Sequence, residues 1–232
     1  SATAKEKISR SRKRVLEEPD EFISFSSRMI QWAREHHVPL TFAAGFIIIL
    51  AIAVFSLRYF SDKAENQASD MLAKAVAKYE TIINDQPPDK AYLDAKITFE
   101  QILKQYSGKD AAKIAKVTYA DIAYDGGDFE KAIELYNEAL ADFGKDPFLK
   151  NLIYNSLGYS HEGKKDYQAA AKYFEMIVSG SDTGMADEAL FNLGRIFAAM
   201  GKIEKSRDLF QKIISDYTDS IYIDLAKEML AG

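Results

Sequence analysis

The 232-residue chain is 47% hydrophobic and 28% charged, the balance of a folded protein rather than a disordered one. Its formal charge of −5 is uneven: residues 1–38 carry 8 Lys/Arg against 6 Asp/Glu and residues 58–232 carry 22 against 29, an acidic body of net −7 that excludes nucleic acid as a partner. With no cysteine there is no disulfide scaffold, thiolate metal site or thiol nucleophile, and 5 prolines leave long stretches free to be helical.

Residues 1–38 form a basic tail, expected to begin after removal of an initiator methionine and carrying Lys5, Lys7, Arg10, Arg12, Lys13 and Arg14. Pro19-Asp20-Glu21 suits a helix start, because proline presets φ and acids face the positive end of the dipole. Phe22, Phe25, Met29 and Trp32 then recur at helical spacing, which predicts an amphipathic helix lying on a membrane surface.

From Pro39 to Leu57 runs PLTFAAGFIIILAIAVFSL, nineteen residues without a charge. That is long enough to cross roughly 30 Å of hydrocarbon as a helix. Trp32 on one side and Tyr59 and Phe60 on the other stand where rings settle at the interface, so residues 39–60 are expected to be a transmembrane helix in contact with lipid. A cleaved signal peptide is the poorer fit, since a long tail precedes the run. The excess of Lys/Arg before it predicts a cytoplasmic N-terminus and export of everything after residue 60.

No Gly or Pro falls between Phe46 and Gln86, so the helix is expected to continue over residues 61–84 as a stalk. Beyond it a period emerges. Asp128-Phe129-Glu130-Lys131-Ala132, Asp166-Tyr167-Gln168-Ala169-Ala170 and Lys202-Ile203-Glu204-Lys205-Ser206 are one pattern, and Tyr92, Ala95 and Phe99 make a degenerate earlier copy. The small residues Ala95, Ala132, Ala170 and Ser206 are 37, 38 and 36 apart, and a ring follows four residues after each of them: Phe99, Tyr136, Phe174 and Phe210. Earlier in each unit stand Tyr119-Ala120, Leu157-Gly158 and Leu193-Gly194, small positions at which a paired helix approaches closely, with the later ring expected to fill the space between neighbouring units.

These marks resemble the tetratricopeptide repeat, in which Leu-Gly on a first helix is followed by a small residue and an aromatic on the second. One unit matches at Tyr154, Leu157, Gly158, Ala170 and Phe174, the next at Leu190, Leu193, Gly194, Phe197 and Phe210. The apolar run and this resemblance together imply an all-α protein: a single N-terminal transmembrane helix, then a right-handed tetratricopeptide-like solenoid over 76–232, with Ile221 to Leu230 as a closing helix. The layout of basic tail, amphipathic stretch, membrane helix, stalk and degenerate repeats also resembles the YfgM-like family of bacterial inner-membrane proteins. That resemblance implies an ancillary subunit of the Sec translocon with periplasmic repeats that meet chaperones. A structural accessory subunit of another membrane complex is the alternative.

In such arrays the first helix of each pair lines the concave side. The exposed stripe there is expected to include Ile114, Val117, Asp121 and Tyr124, then Asn155 and Tyr159, then Phe191 and Arg195. Val117, Tyr124, Asn155, Tyr159, Phe191 and Arg195 are the candidate contacts to a protein or peptide, a mixture of rings, an amide and a guanidinium that suits an extended or helical ligand. Of the Lys and Asn positions that grip a terminal carboxylate in one class of these repeats, Asn155 alone is present.

Catalytic chemistry and cofactors are not expected. Gly158-Tyr-Ser-His-Glu-Gly163-Lys164-Lys165 imitates a phosphate loop, but Lys165 stands where Ser or Thr belongs and no strand precedes it. Adjacent His36 and His37 diverge by about 100° on a helix and share no metal, and His161 reads as a packing residue.

Overall fold

The computed structural model describes residues 21–180 and 182–231, with side chains from Phe25 onward. The basic cluster, Pro19-Asp20 and the side chain of Phe22 lie outside the described residues. The described chain is all-helical: α1 (Glu21–Glu35), α2 (His37–Asp85), α3 (Pro88–Gln105), α4 (Asp110–Asp125), α5 (Phe129–Phe143), α6 (Pro147–Gly163), α7 (Tyr167–Val178), α8 (Ala186–Ala199), α9 (Ile203–Asp216) and α10 (Ile223–Ala231). It divides into two compact units that part after Ser61.

In the first unit, Phe25, Met29 and Trp32 of α1 are exposed. The helix is interrupted at His36, where the Trp32 and His36 rings stack at 5.0 Å. His36 Nδ1 lies 3.0 Å from the Trp32 carbonyl oxygen and His37 Nδ1 2.9 Å from that of Arg34, so both imidazoles are occupied at the helix end. Among the described residues, one helix is long and apolar enough to cross a membrane. It is α2, in which an 18-residue window has a mean hydropathy of 2.6 and no residue buried.

The second unit takes in the rest of α2. Ala68 and Ala75 are buried and Tyr79 nearly so, and Tyr79 joins a core with Tyr92, Phe99 and Tyr119. The segment 61–84 is therefore not a bare stalk. From Asp62 it belongs to the repeat-bearing unit, where it occupies the chain position of a first helix before α3 and its buried residues share a core with those of α3 and α4. The apolar positions responsible are spaced 7 and 4 apart, one face of a helix.

Three further pairs follow, α4–α5, α6–α7 and α8–α9, each helix packing on its neighbours in the chain, with α10 against α9. The turns inside the pairs repeat one design. Gly127, Lys165 and Gly201 have φ of 80°, 61° and 72°, and the next N–H groups, those of Asp128, Asp166 and Lys202, reach back to Ala123, His161 and Phe197 at 2.9, 2.9 and 2.8 Å. This 6→1 bond satisfies a carbonyl that the helix end leaves open. Asp128 and Asp166 then cap the following helices by accepting from the N–H groups of Lys131 (3.1 Å) and Ala169 (3.2 Å). The phosphate-loop look-alike is dissolved by this arrangement, because residues 158–163 are helix and Lys164-Lys165 are the turn.

The rings do not fill the places expected of them. A Cβ on Gly158 would fall 2.6 Å from the Phe174 ring and one on Gly194 2.7 Å from that of Phe210, so these rings close the gap inside a pair. The space between units is taken at two places by a ring near the start of a second helix: a Cβ on Gly163 would fall 2.6 Å from the Phe129 ring, and one on Gly126 2.5 Å from the Tyr92 Cβ. Tyr92 also donates to Asp128 Oδ2 at 2.7 Å, and burial followed by that bond pushes its phenol up to about 12. His161 stacks on Tyr173 at 5.4 Å, a packing residue as its position suggested.

Candidate protein-binding groove

α6 and α8, the first helices of two successive pairs, are joined by a ladder of side-chain bonds. Asn155 Nδ2 donates to Glu188 Oε1 (2.9 Å), Asn192 Nδ2 to the Tyr159 hydroxyl (2.8 Å), and Arg195 Nη2 and Nη1 to Glu162 Oε1 (2.7 and 3.2 Å), all across 33 residues. The equivalent glycines Gly158 and Gly194 are 36 apart, so α6 and α8 are staggered by about one turn. A charge-assisted, doubly donated bond such as Arg195–Glu162 is among the stronger polar contacts available.

The candidate residues separate into three groups on this framework. Tyr124 and Tyr159 come together in a pocket of about 160 Å³ that also includes Asp121, Asp125, Tyr136 and Ser156. The Tyr136 hydroxyl donates to Asp121 Oδ1. Loss of solvent raises the Asp121 and Asp125 carboxyls above the ordinary carboxylate range, the Tyr136 bond partly opposing the rise at Asp121. Burial likewise raises the phenols of Tyr124 and Tyr159, so both remain neutral donors at neutral pH.

Val117 belongs to a second, apolar depression of about 260 Å³ between α4 and α6, lined by Ile114, Thr118, Phe143, Leu149, Leu152 and Ile153. Asn155, Arg195 and Tyr159 are bound into the ladder, so each meets a ligand only with its remaining surface. Phe191 is a correction. Its ring is half-buried, stacked on Tyr222 at 5.2 Å and tilted against Phe210 at 5.7 Å, because the segment leading into α10 folds over it.

Sequence reasoning placed Ile114 and Val117 on the apolar half of this surface and missed Leu149, Leu152 and Phe143. Leu152 and Leu149 sit on the α6 stripe about one and two turns before Asn155, and extending the stripe towards the helix start finds them. Phe143 comes from the end of a second helix and has no such signal. Glu162 and Glu188 were legible only once the 33-residue offset was known.

Paired helices, a Schellman turn with a capping acid, and a ring seated on a glycine of its partner helix recur at a 36 to 38 residue period. The family described as the tetratricopeptide repeat-like domain matches residues 32–230. The chain belongs to that family. The match starts within α1 and takes in the whole of α2, apolar stretch included. This tetratricopeptide repeat-like protein is also similar in fold to the crystal structure of nearly identical TPR-like repeats of a kinesin-light-chain-type protein of Podosopora anserina. The TM-score is 0.54 at 14% identity, over 72% of this chain and 85% of that one. No curated protein matches the sequence. Repeats of this class bind proteins and typically act as scaffolds, not catalysts.

Proposed function

We propose that this tetratricopeptide repeat-like chain is a membrane-anchored scaffold that holds other proteins in the groove of its first helices, at the inner membrane of a bacterium. Residues 39–60 contact lipid, the N-terminus is cytoplasmic, and the repeats are periplasmic, where they assist translocation or chaperoning beside Sec translocon subunits or periplasmic chaperones. The observation that carries the reading is α2 itself: one helix begins with an exposed apolar window suited to lipid and ends with residues buried in the repeat core. The excess of Lys/Arg before the apolar run supports the orientation, and the resemblance in layout to the YfgM-like family supports the partners. Val117, Tyr124, Asn155, Tyr159 and Arg195 are the contact residues of the groove. Tethering makes weak contacts sufficient, because confinement beside a partner raises its effective concentration.

The test is extraction of the full chain from its native membranes in mild detergent, with bound proteins identified by mass spectrometry, for wild type and for Tyr159→Ala/Arg195→Ala. Thermal unfolding is followed alongside, since both residues also tie one unit to the next. The expected result is recovery of translocon subunits or periplasmic chaperones with wild type and their depletion with the folded double variant. Release of the protein from membranes by alkaline carbonate would sink the anchor. An unrelated complex recovered in fixed ratio and indifferent to the double change would make the chain an accessory subunit.

A further inference from the structure

Beside the Val117 depression lies a second of about 550 Å³ between α2 and α4, with Leu72, Ala73, Val76 and Ala77 on one wall. Ile114 lines both, so one apolar trough crosses three successive first helices, α2, α4 and α6. Its floor is uncovered: Ile114 is 52% exposed, Leu152 39% and Leu149 37%. A contiguous apolar surface with a polar rim is the ordinary mark of a protein-binding site.

The rim is predominantly acidic, its Asp110 already paired with Lys113 at 2.8 Å. Glu80 on α2 lines the trough, and Asp121 and Asp125 stand along α4 beyond Thr118. Among the described residues none of these three carboxylates has a basic side chain at ion-pair distance, and the net charge of residues 58–232 is −7.

We propose that this trough receives an amphipathic helical segment of a partner protein, its apolar face flanked by lysines or arginines. The inference rests on the reading of the first-helix face as a protein-binding groove and names the chemistry of what enters it. Two adjoining apolar depressions suit anchors one to two turns apart on a helix, which an amphipathic segment presents at i, i+3, i+4 and i+7. Basic flanks answer these carboxylates, and the same carboxylates repel the acidic body, residues 58–232, of a second copy and an anionic lipid surface alike.

The test uses the full chain in a non-ionic detergent and three fluorescent peptides of about 18 residues, five helical turns. One is an amphipathic Leu/Lys helix, one places Glu at every Lys position, and one scrambles the Leu/Lys sequence. Empty micelles give the background. The Leu/Lys helix is expected to bind wild type at least about tenfold more tightly than either control and to weaken as salt rises. Ile114→Ser/Leu152→Ser and Glu80→Lys/Asp125→Lys, all at exposed positions, are each expected to weaken it about tenfold, and the second to gain affinity for the Leu/Glu helix. Circular dichroism confirms that both variants fold.

Equal binding of the Leu/Lys and Leu/Glu helices would overturn the basic partner, while loss of co-purifying proteins in Tyr159→Ala/Arg195→Ala would still support the groove itself. Leu/Lys binding that is untouched by Ile114→Ser/Leu152→Ser, equal for the scrambled peptide, or absent altogether would overturn the trough as its site.

Discussion

Lys165 holds φ at 61° where the equivalent turns carry Gly127 and Gly201, so a Cβ is tolerated in a left-handed conformation that glycine adopts without cost. Lys165→Gly is expected to stabilise the full chain by about 0.5–1 kcal/mol, read as a higher midpoint in urea. Asp125 has the opposite character, since loss of solvent is the sole cause raising its carboxyl. The folded state therefore holds that proton more tightly than the unfolded state does. Stability from this group is greatest below the ordinary carboxylate range and falls as pH rises through the window between the ordinary and the raised value. Asp125→Asn is expected to unfold at a higher temperature than wild type near pH 7, the two converging in acid, as thermal unfolding across pH will read. A carboxylate kept at that cost beside Tyr124 and Tyr159 fits a surface retained for binding more than for stability.

At the scale of the element, three helix starts are capped locally by an aspartate and one is capped from afar. Asp128, Asp146 and Asp166 accept from an N–H three residues on, a pattern readable in any short window of sequence. At α4 the N-cap is Lys109 and its side chain makes no capping bond. Glu65 of α2 instead accepts from the N–H groups of Asp110 and Ala111 at 3.0 and 2.7 Å. Glu65→Ala is expected to cost about 1 kcal/mol and to speed amide exchange at Asp110 and Ala111, with Glu65→Gln retaining most of the protection. This contact, across 45 and 46 residues, explains why α2 cannot be a free stalk, and no local signal announces it. The helices themselves were legible because period, caps and small–large spacing are local properties. Assignment of the rings was not: Phe129 and Phe174 look alike as repeat positions, and their roles between and within pairs depend on which glycine each helix end is brought to face.

Over the whole molecule, an uncharged nineteen-residue run and a repeat of 36 to 38 residues are sufficient to read an apolar helix followed by paired helices, and both are present. They suffice because hydrophobic periodicity reports which face of a helix is turned from water, whatever that face then meets. The candidate stripe was legible to the same depth: Tyr124 and Tyr159 do share a pocket, since residues on one face of equivalent helices recur together in a stack. Tertiary structure alone decided the rest. The one-turn stagger that pairs Arg195 with Glu162, the stacking of Tyr222 on Phe191, and the joining of Leu72, Ile114 and Leu152 into one acid-rimmed trough all depend on how one unit is set against the next. That setting is a packing solution between surfaces far apart in the chain, and a pattern along the chain carries no record of it.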